Sequence, residues 1–177
     1  GCWDESTKTF MQAEGNKRIV GYRYSKGWAK NQRIYFAAEF AKPFDSFELK
    51  GHENMYGRAS FSTVAGEEVM LKVAISPVSI DGAKANMLAE LPDWNFERTI
   101  KAADAAWNTE LAKMRITTTD ESAKRVFYTG LYHTMVAPSE FCDVNGDYRG
   151  ADGQMHKNPG YTTYTTYSLW DTYRAAM

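Results

Sequence analysis

Glu68-Val-Met-Leu-Lys-Val-Ala-Ile75 runs through Ser76-Pro-Val-Ser79 into Ile80-Asp-Gly-Ala83-Lys-Ala-Asn-Met87-Leu-Ala-Glu-Leu91. The first stretch is apolar and β-branched and reads as the best core strand of the chain. In the last, Ile80, Ala83, Met87 and Leu91 recur at helical spacing, and Pro92 ends the run. The change of period near Ser79 divides the sequence. Residues before it read as strands, and residues after it read as helices joined by long loops.

Working back, Arg18-Ile-Val-Gly-Tyr-Arg-Tyr24 and Arg33-Ile-Tyr-Phe-Ala-Ala-Glu-Phe40 are strands, the second broken by Pro43. Phe44, Phe47 and Leu49 belong to another extended stretch, and Tyr56 to Thr63 alternates with Ala59, Phe61 and Thr63 on one face. Gly15-Asn16, Lys26-Gly27 and Ala65-Gly66 mark turns. Successive strands without intervening helices predict an antiparallel sheet system of the sandwich type.

Working forward, Phe96, Ile100, Ala103, Trp107, Leu111 and Met114 form an apolar stripe on a second helix, with Asp93 or Asn95 as its cap. The stripe predicts one buried face. Thr118-Thr119-Asp120-Glu121 fits a capping box that starts a third helix at Thr118. Ala123, Val126, Phe127, Gly130, Leu131 and Thr134 would be its buried stripe, and Pro138 closes it. The fold class expected is therefore α+β in two parts.

The chain has 177 residues with 21 basic and 22 acidic side chains, a net charge of −1. This balance gives no overall attraction for nucleic acid or an anionic membrane. No apolar run approaches the ~20 residues of a membrane-spanning helix. Aromatic residues make up 14%, more than a compact core needs, so some rings are expected to face a groove or a partner. Cys2 and Cys142 make neither a disulfide framework nor a metal-type spacing. The chain lacks an initiator Met, and Ala175-Ala176-Met177 comes after a helix-like start without a stop signal. We expect an internal piece of a longer protein.

Asp143-x-Asn145-x-Asp147 begins like a calcium loop, but its sixth and twelfth places hold Tyr148 and Gln154 instead of Gly and Glu. A hairpin on Asn145-Gly146 is the expectation. His52, His133 and His156 have no ligand spacing. Neither a phosphate loop nor a Gly-x-Ser-x-Gly elbow is present. Tyr161 to Arg174 is different. It gathers four tyrosines, Trp170, Asp171 and Arg174. A sugar presents a C–H face to an aromatic ring and hydroxyls to fixed donors and acceptors, with charged partners making the stronger bonds. The residues alone equally allow Trp170 to pack in a core and Asp171 to cap a helix or pair with Arg174.

Gly21-Tyr-Arg-Tyr-Ser-Lys-Gly-Trp28, Ile34-Tyr-Phe-Ala-Ala-Glu-Phe40 and Val73-Ala-Ile-Ser76 together resemble the central part of glycoside hydrolase family 92. Ser79 with Ala83, Asn86 and Glu90, then Phe127-Tyr-Thr-Gly-Leu-Tyr-His-Thr134, continue the likeness. So do Asp143-Val-Asn-Gly-Asp-Tyr-Arg-Gly150 and Tyr164-Thr-Thr-Tyr-Ser-Leu-Trp-Asp-Thr-Tyr-Arg174. The resemblance implies an inverting, calcium-dependent, exo-acting α-mannosidase of bacteria that acts on mannose-containing glycans, with α-1,2-linked mannose as the expected substrate. It implies that residues 1–78 are the C-terminal part of a β-sandwich domain, 79–117 a helical linker, and 118–177 the beginning of an (α/α)6 barrel.

By the same resemblance, the catalytic acid and base and most calcium contacts lie beyond Met177, so no catalytic or metal residue is assigned here. Trp170, Asp171 and Arg174, at the family's Trp-Asp-Thr-x-Arg motif, are the expected sugar-binding residues. Export to the periplasm, the medium or the outer surface as a lipoprotein goes with the family. A non-catalytic carbohydrate-binding or interaction module with a β-sandwich is the alternative, and the helical half of the chain argues against it.

Overall fold

The computed structural model describes residues 4–27, 29–51 and 55–166. The chain forms two compact units. One comprises residues 1–94 and 141–163, the other 95–140 and 164–177.

In the first unit, β1 (Glu5–Glu14), β2 (Arg18–Lys26), β3 (Gln32–Phe40) and β6 (Leu71–Ser76) form one antiparallel sheet in the order β1-β2-β3-β6. Between β3 and β6, β4 (Ser46–Lys50) and β5 (Tyr56–Ser60) pair as a two-stranded sheet. Antiparallel sheets succeeded by helices are the order expected from the sequence.

Side chains alternate between sheet faces, so the ladder register fixes which residues share a face. Val20 opposes Ala37, and Ala37 opposes Ala74. Helix α1 (Ile80–Glu90) lies over this row of small residues, placing Ala83 and Met87 in a core with Val20 and Ala37. Ser79 caps α1 by accepting from the Gly82 N–H at 2.9 Å. The opposite face carries Phe40, which packs with Phe44 and Phe61, while Phe44 also meets Phe47. Phe44 is buried.

Strand β6 departs from expectation. It is an edge strand, and its apolar residues Leu71, Val73 and Ile75 are exposed, Ile75 by 62%. Its α1-facing side instead carries Lys72, Ala74 and Ser76. A continuous apolar run does not reveal which face is covered, because a strand buries only the face that finds a neighbour.

The second unit contains α2 (Phe96–Leu111) and α3 (Glu121–Thr134). Asn95 caps α2 through the Arg98 N–H. Helix α3 starts at Glu121 and not at Thr118. Asp120 is its cap, one carboxylate oxygen accepting from the amides of Ser122 and Ala123, while Thr118 Oγ1 accepts from Asp120 N. Of several competent capping residues in a row, the one whose oxygen meets two free amides prevails.

Trp107 of α2 meets Tyr132 of α3 edge to face at 4.6 Å, and Tyr128 Oη donates to Met114 O. The expected burial of the α2 stripe is not found. Phe96 is 67% exposed and Trp107 37%, and neither α2 nor α3 has a buried residue. Two helices cover each other only along one line, and a stripe of five turns needs more. No described helix is long and apolar enough to cross a membrane.

Candidate functional site

Residues 141–163 return to the first unit as an excursion from the helical part of the chain. Its ends meet where Phe141 N donates to Thr163 O at 2.7 Å. Just outside, within the second unit, Ser139 exchanges bonds with Thr165, and Glu140 bridges Tyr164.

The excursion opens with a closed turn. Asp143 N donates to Asp147 O at 2.8 Å, and Gly146 N donates to Asp143 O at 2.7 Å. Gly146 has φ 83°, which a side chain would resist. The expected hairpin is displaced. Its strands are β7 (Tyr148–Arg149) and β8 (Met155–His156), joined by 150–154, and not arms flanking Asn145-Gly146. Asn145 has no positive φ, so the mirror-image hairpin turn does not form there.

The carboxylate of Asp143 is the most committed group in the excursion. The residue is 5% exposed. Oδ2 accepts from Ser76 Oγ at 2.8 Å, and Oδ1 accepts from Asn86 Nδ2 at 2.9 Å. Ser76 Oγ itself accepts from the amides of Val78 and Ser79. Asn86 Nδ2 also donates to Ile75 O, and Asn86 Oδ1 accepts from Val144 N. Each polar atom is thus fixed as donor or acceptor. Gly82 makes room for the carboxylate, because a Cβ there would overlap Asp143 Oδ2. Buried Arg149 adds a second tie by donating to Pro77 O at 3.0 Å and Gly153 O at 2.8 Å.

Asp147 is equally engaged. Lys157 Nζ and Asn145 Nδ2 donate to Oδ2, and Asn158 N donates to Oδ1. The Lys157 bond chiefly holds the carboxyl below the usual carboxylate range. Asp152 is also held low, first by the Gln154 amide and then by His156. His156 stacks on Tyr148, whose hydroxyl is pushed up by burial and by Tyr161.

A calcium ion needs six to eight free oxygens. The Asp143–Asp147 turn does not fit one, since both carboxylates already face protein donors. No cluster of three or more His, Cys, Asp or Glu residues placed to hold a metal occurs among the described residues.

The aromatic ladder on β1–β3 is a poor sugar platform. Phe10 and Tyr22 stack at 5.4 Å, and Tyr22 and Tyr24 at 4.6 Å, so the rings cover one another's faces. Tyr24 and Tyr35 share a hydroxyl bond of 2.9 Å. Burial, with that bond, raises the Tyr24 hydroxyl to about 12. Lys8 and Arg33 lie over the Tyr24 ring.

Trp170, Asp171 and Arg174, the sugar-binding residues expected from sequence, lie outside the described residues. Sequence reasoning assigns no role to Ser76, to Asn86 or to Asp143 as a buried group. Ser76 and Asp143 are 67 positions apart, and no local spacing links them.

Matches to two family models, one over the sheet part and one over the helical part, place the chain among the glycoside hydrolases. Residues 2–76 match the glycosyl hydrolase family 92 N-terminal domain, and residues 82–177 match the family 92 catalytic domain. The chain belongs to glycosyl hydrolase family 92. It is similar to the family GH92 α-mannosidase BT3965 from Bacteroides thetaiotaomicron, with 35% identity and a TM-score of 0.91. That likeness covers 98% of this chain and 26% of the other. The same α-mannosidase in complex with mannoimidazole matches equally, over 25% of its length. The GH92 inverting mannosidase BT2199 from B. thetaiotaomicron VPI-5482 matches at 25% identity and TM-score 0.80, covering 98% of this chain and 25% of that one. A comparison with curated proteins gave no match. The chain therefore spans about a quarter of the length of the solved structures it resembles.

Proposed function

We propose that this chain is part of an inverting, exo-acting α-mannosidase that removes terminal α-mannosyl residues, α-1,2-linked, from glycans. One observation carries the reading. Collinear matches to both domains of one glycosidase family run from residue 2 to residue 177, with 35% identity to a relative described as an α-mannosidase. The catalytic-domain match weighs against a stand-alone binding module.

An inverting glycosidase needs one carboxylic acid to protonate the leaving oxygen. A second carboxylate activates water on the opposite face, roughly 6.5–9.5 Å from the first. We assign that pair, and most contacts to calcium, to parts of the enzyme outside this chain. The chain's own contribution is recognition. Trp170 offers a ring to the sugar's C–H face, and Asp171 accepts from its hydroxyls. Arg174 holds the carboxylate or a hydroxyl. The enzyme acts in the periplasm, in the medium or at the outer surface of a bacterium.

Asp171→Asn in the complete enzyme tests this reading. It keeps shape and removes charge, so kcat/KM for an α-mannoside should fall by about 1.5–3 kcal/mol in transition-state stabilisation. Trp170→Ala should also weaken it, with thermal stability measured beside it. An unchanged kcat/KM in Asp171→Asn returns Asp171 to a capping or pairing role. The 177-residue chain alone should release no mannose above a buffer blank.

A further inference from the structure

Strand β6 has one finished face and one bare face. Ala74 and Ser76 lie on the side that α1 packs against, and Leu71, Val73 and Ile75 lie on the other. The ladder register shows how far the bare side extends. Met11, Gly21, Phe36 and Ile75 form one row across the sheet, and Ala13, Ile19, Ala38 and Val73 form the next on the same side. At the β1 end this side is covered. A Cβ on Gly57 of β5 would meet Met11 Sδ at 2.8 Å, and Ile19 is buried. At the β6 end it is open, with Val73 52% exposed and Leu71, Ile75 and Ile34 exposed beside it.

Strand spacing gives the size of the gap. Among the described residues the main sheet has four strands, and the β4–β5 layer has two. Neighbouring strands lie about 4.8 Å apart, so the smaller layer covers about half the width and leaves a strip of roughly 10 Å over β3 and β6.

We propose that this strip is covered by at least two further β-strands of the same polypeptide, from outside residues 1–177, which extend the β4–β5 layer over Phe36, Ala38, Leu71, Val73 and Ile75. Three observations select this occupant. The β4–β5 pair already packs on the same side of the sheet, so added strands continue an existing layer. The chain spans 26% of the α-mannosidase it resembles, so a complete enzyme of that length has ample chain to supply them. The side chains along the strip carry neither charge nor a polar tip, which suits sheet-on-sheet packing. An edge strand left in water is ordinarily blunted by charge, proline or a bulge, and β6 presents none of these on this side. Strands that extend the layer also occupy a free edge of the β4–β5 pair, which a second copy laid face to face would leave open. The proposal involves no substrate, so it stands or falls separately from the mannosidase reading.

The complete enzyme carries the test. Val73→Cys and Asp81→Cys are made separately, the second as a reference because the Asp81 side chain is 93% exposed. Labelling of each by a maleimide is followed on its own peptide by mass spectrometry. In the folded enzyme Val73→Cys should label about 10²-fold more slowly than Asp81→Cys, since its thiol reacts only when the covering layer opens. In urea the two should label alike. A photoreactive side chain at Ile75 should join to a peptide from outside residues 1–177, in a product of monomer mass, and that peptide should alternate apolar and polar residues. Labelling of folded Val73→Cys at the Asp81→Cys rate would show the strip bare and overturn the proposal. A product of dimer mass would assign the strip to a second copy, and a joined peptide of helical spacing would assign it to a helix; either overturns it. If Val73→Cys does not fold, hydroxyl-radical footprinting of the unaltered enzyme reads the same face, with Leu71 and Ile75 protected if the proposal holds and oxidised readily if it does not.

Discussion

Ser76 Oγ donates to Asp143 Oδ2 at 2.8 Å across 67 positions of sequence. One residue ends an edge strand, and the other opens a loop that comes after three helices. The bond is buried, so solvent does not compete for it, and losing either partner strands the other.

Gly82 and Gly130 are both helical glycines, and they should respond oppositely to alanine. Alanine in a helix interior gains about 1 kcal/mol over glycine. At Gly130 of α3 nothing lies within 4 Å of a new Cβ, so Gly130→Ala should stabilise by about 0.5–1 kcal/mol. At Gly82 the Cβ would overlap Asp143 Oδ2, and overpacking of ~1–3 kcal/mol should outweigh the helical gain. Urea denaturation of the two variants checks this, and a stabilised Gly82→Ala would contradict the clamp geometry.

Met87 and Trp107 reverse the order their sizes suggest. Met87 sits in the α1–sheet core, whereas Trp107 is 37% exposed beside Tyr132. Met87→Ala should cost about 2–5 kcal/mol. Trp107→Ala in this chain should cost less, on the order of 1–2 kcal/mol, mostly the aromatic pair with its modest burial. Melting curves for both variants decide it, provided the transitions of the two units are resolved.

Acid should loosen the excursion from the Asp147 end. The folded-state pKa of Asp147 is depressed, chiefly by Lys157. Its stabilising effect is therefore present above the unfolded value of about 3.9 and lost as pH falls through the folded value. Stability of this region should be flat from about pH 7 to 5 and fall below about 4. Lys157→Ala should move the Asp147 titration midpoint upward, as read from its carboxyl carbon by NMR. The Lys157 side chain is 92% exposed, so salt at about 1 M should shrink that difference. A midpoint indifferent to Lys157 would refute the assignment.

Calcium titrated into the 177-residue chain should give no stoichiometric heat of binding. Asp143 and Asp147 have spent their oxygens on Ser76, Asn86, Lys157, Asn145 and Asn158. Tight one-to-one binding would show that the turn opens to ligate the ion.

Asn95 was legible as a cap candidate, beside Asp93, because a cap is a contact within three residues. Ser79 was legible only as the point where the period changes, and not as the acceptor of the Gly82 amide. Asp120 was missed by two positions because Thr118, Thr119 and Asp120 are all competent, and only geometry chooses among them. The α2 stripe was legible as a stripe. Its burial was not, since periodicity states which residues share a face and not what covers that face. Val73 and Ile75 show the same limit in a strand. The Asp143 circuit had no legible pattern at all, because its partners meet only after the sheet, α1 and the excursion have assembled. Trp170, Asp171 and Arg174 remain a sequence argument.

The Ser76–Asp143 bond also bears on how such a protein can be taken apart. The family's domain models meet between residues 76 and 82, which invites a cut there. A cut at that junction would leave the Ser76 hydroxyl on one product and its acceptor on the other, with the Pro77 carbonyl parted from Arg149 or left on a loose end. Neither product would keep a satisfied surface where they had met. Grafting this sheet onto a different catalytic domain would likewise require the host to supply an acceptor at one chosen point. A division that leaves these bonds whole keeps residues 1–94 and 141–163 together, across the family-model boundary.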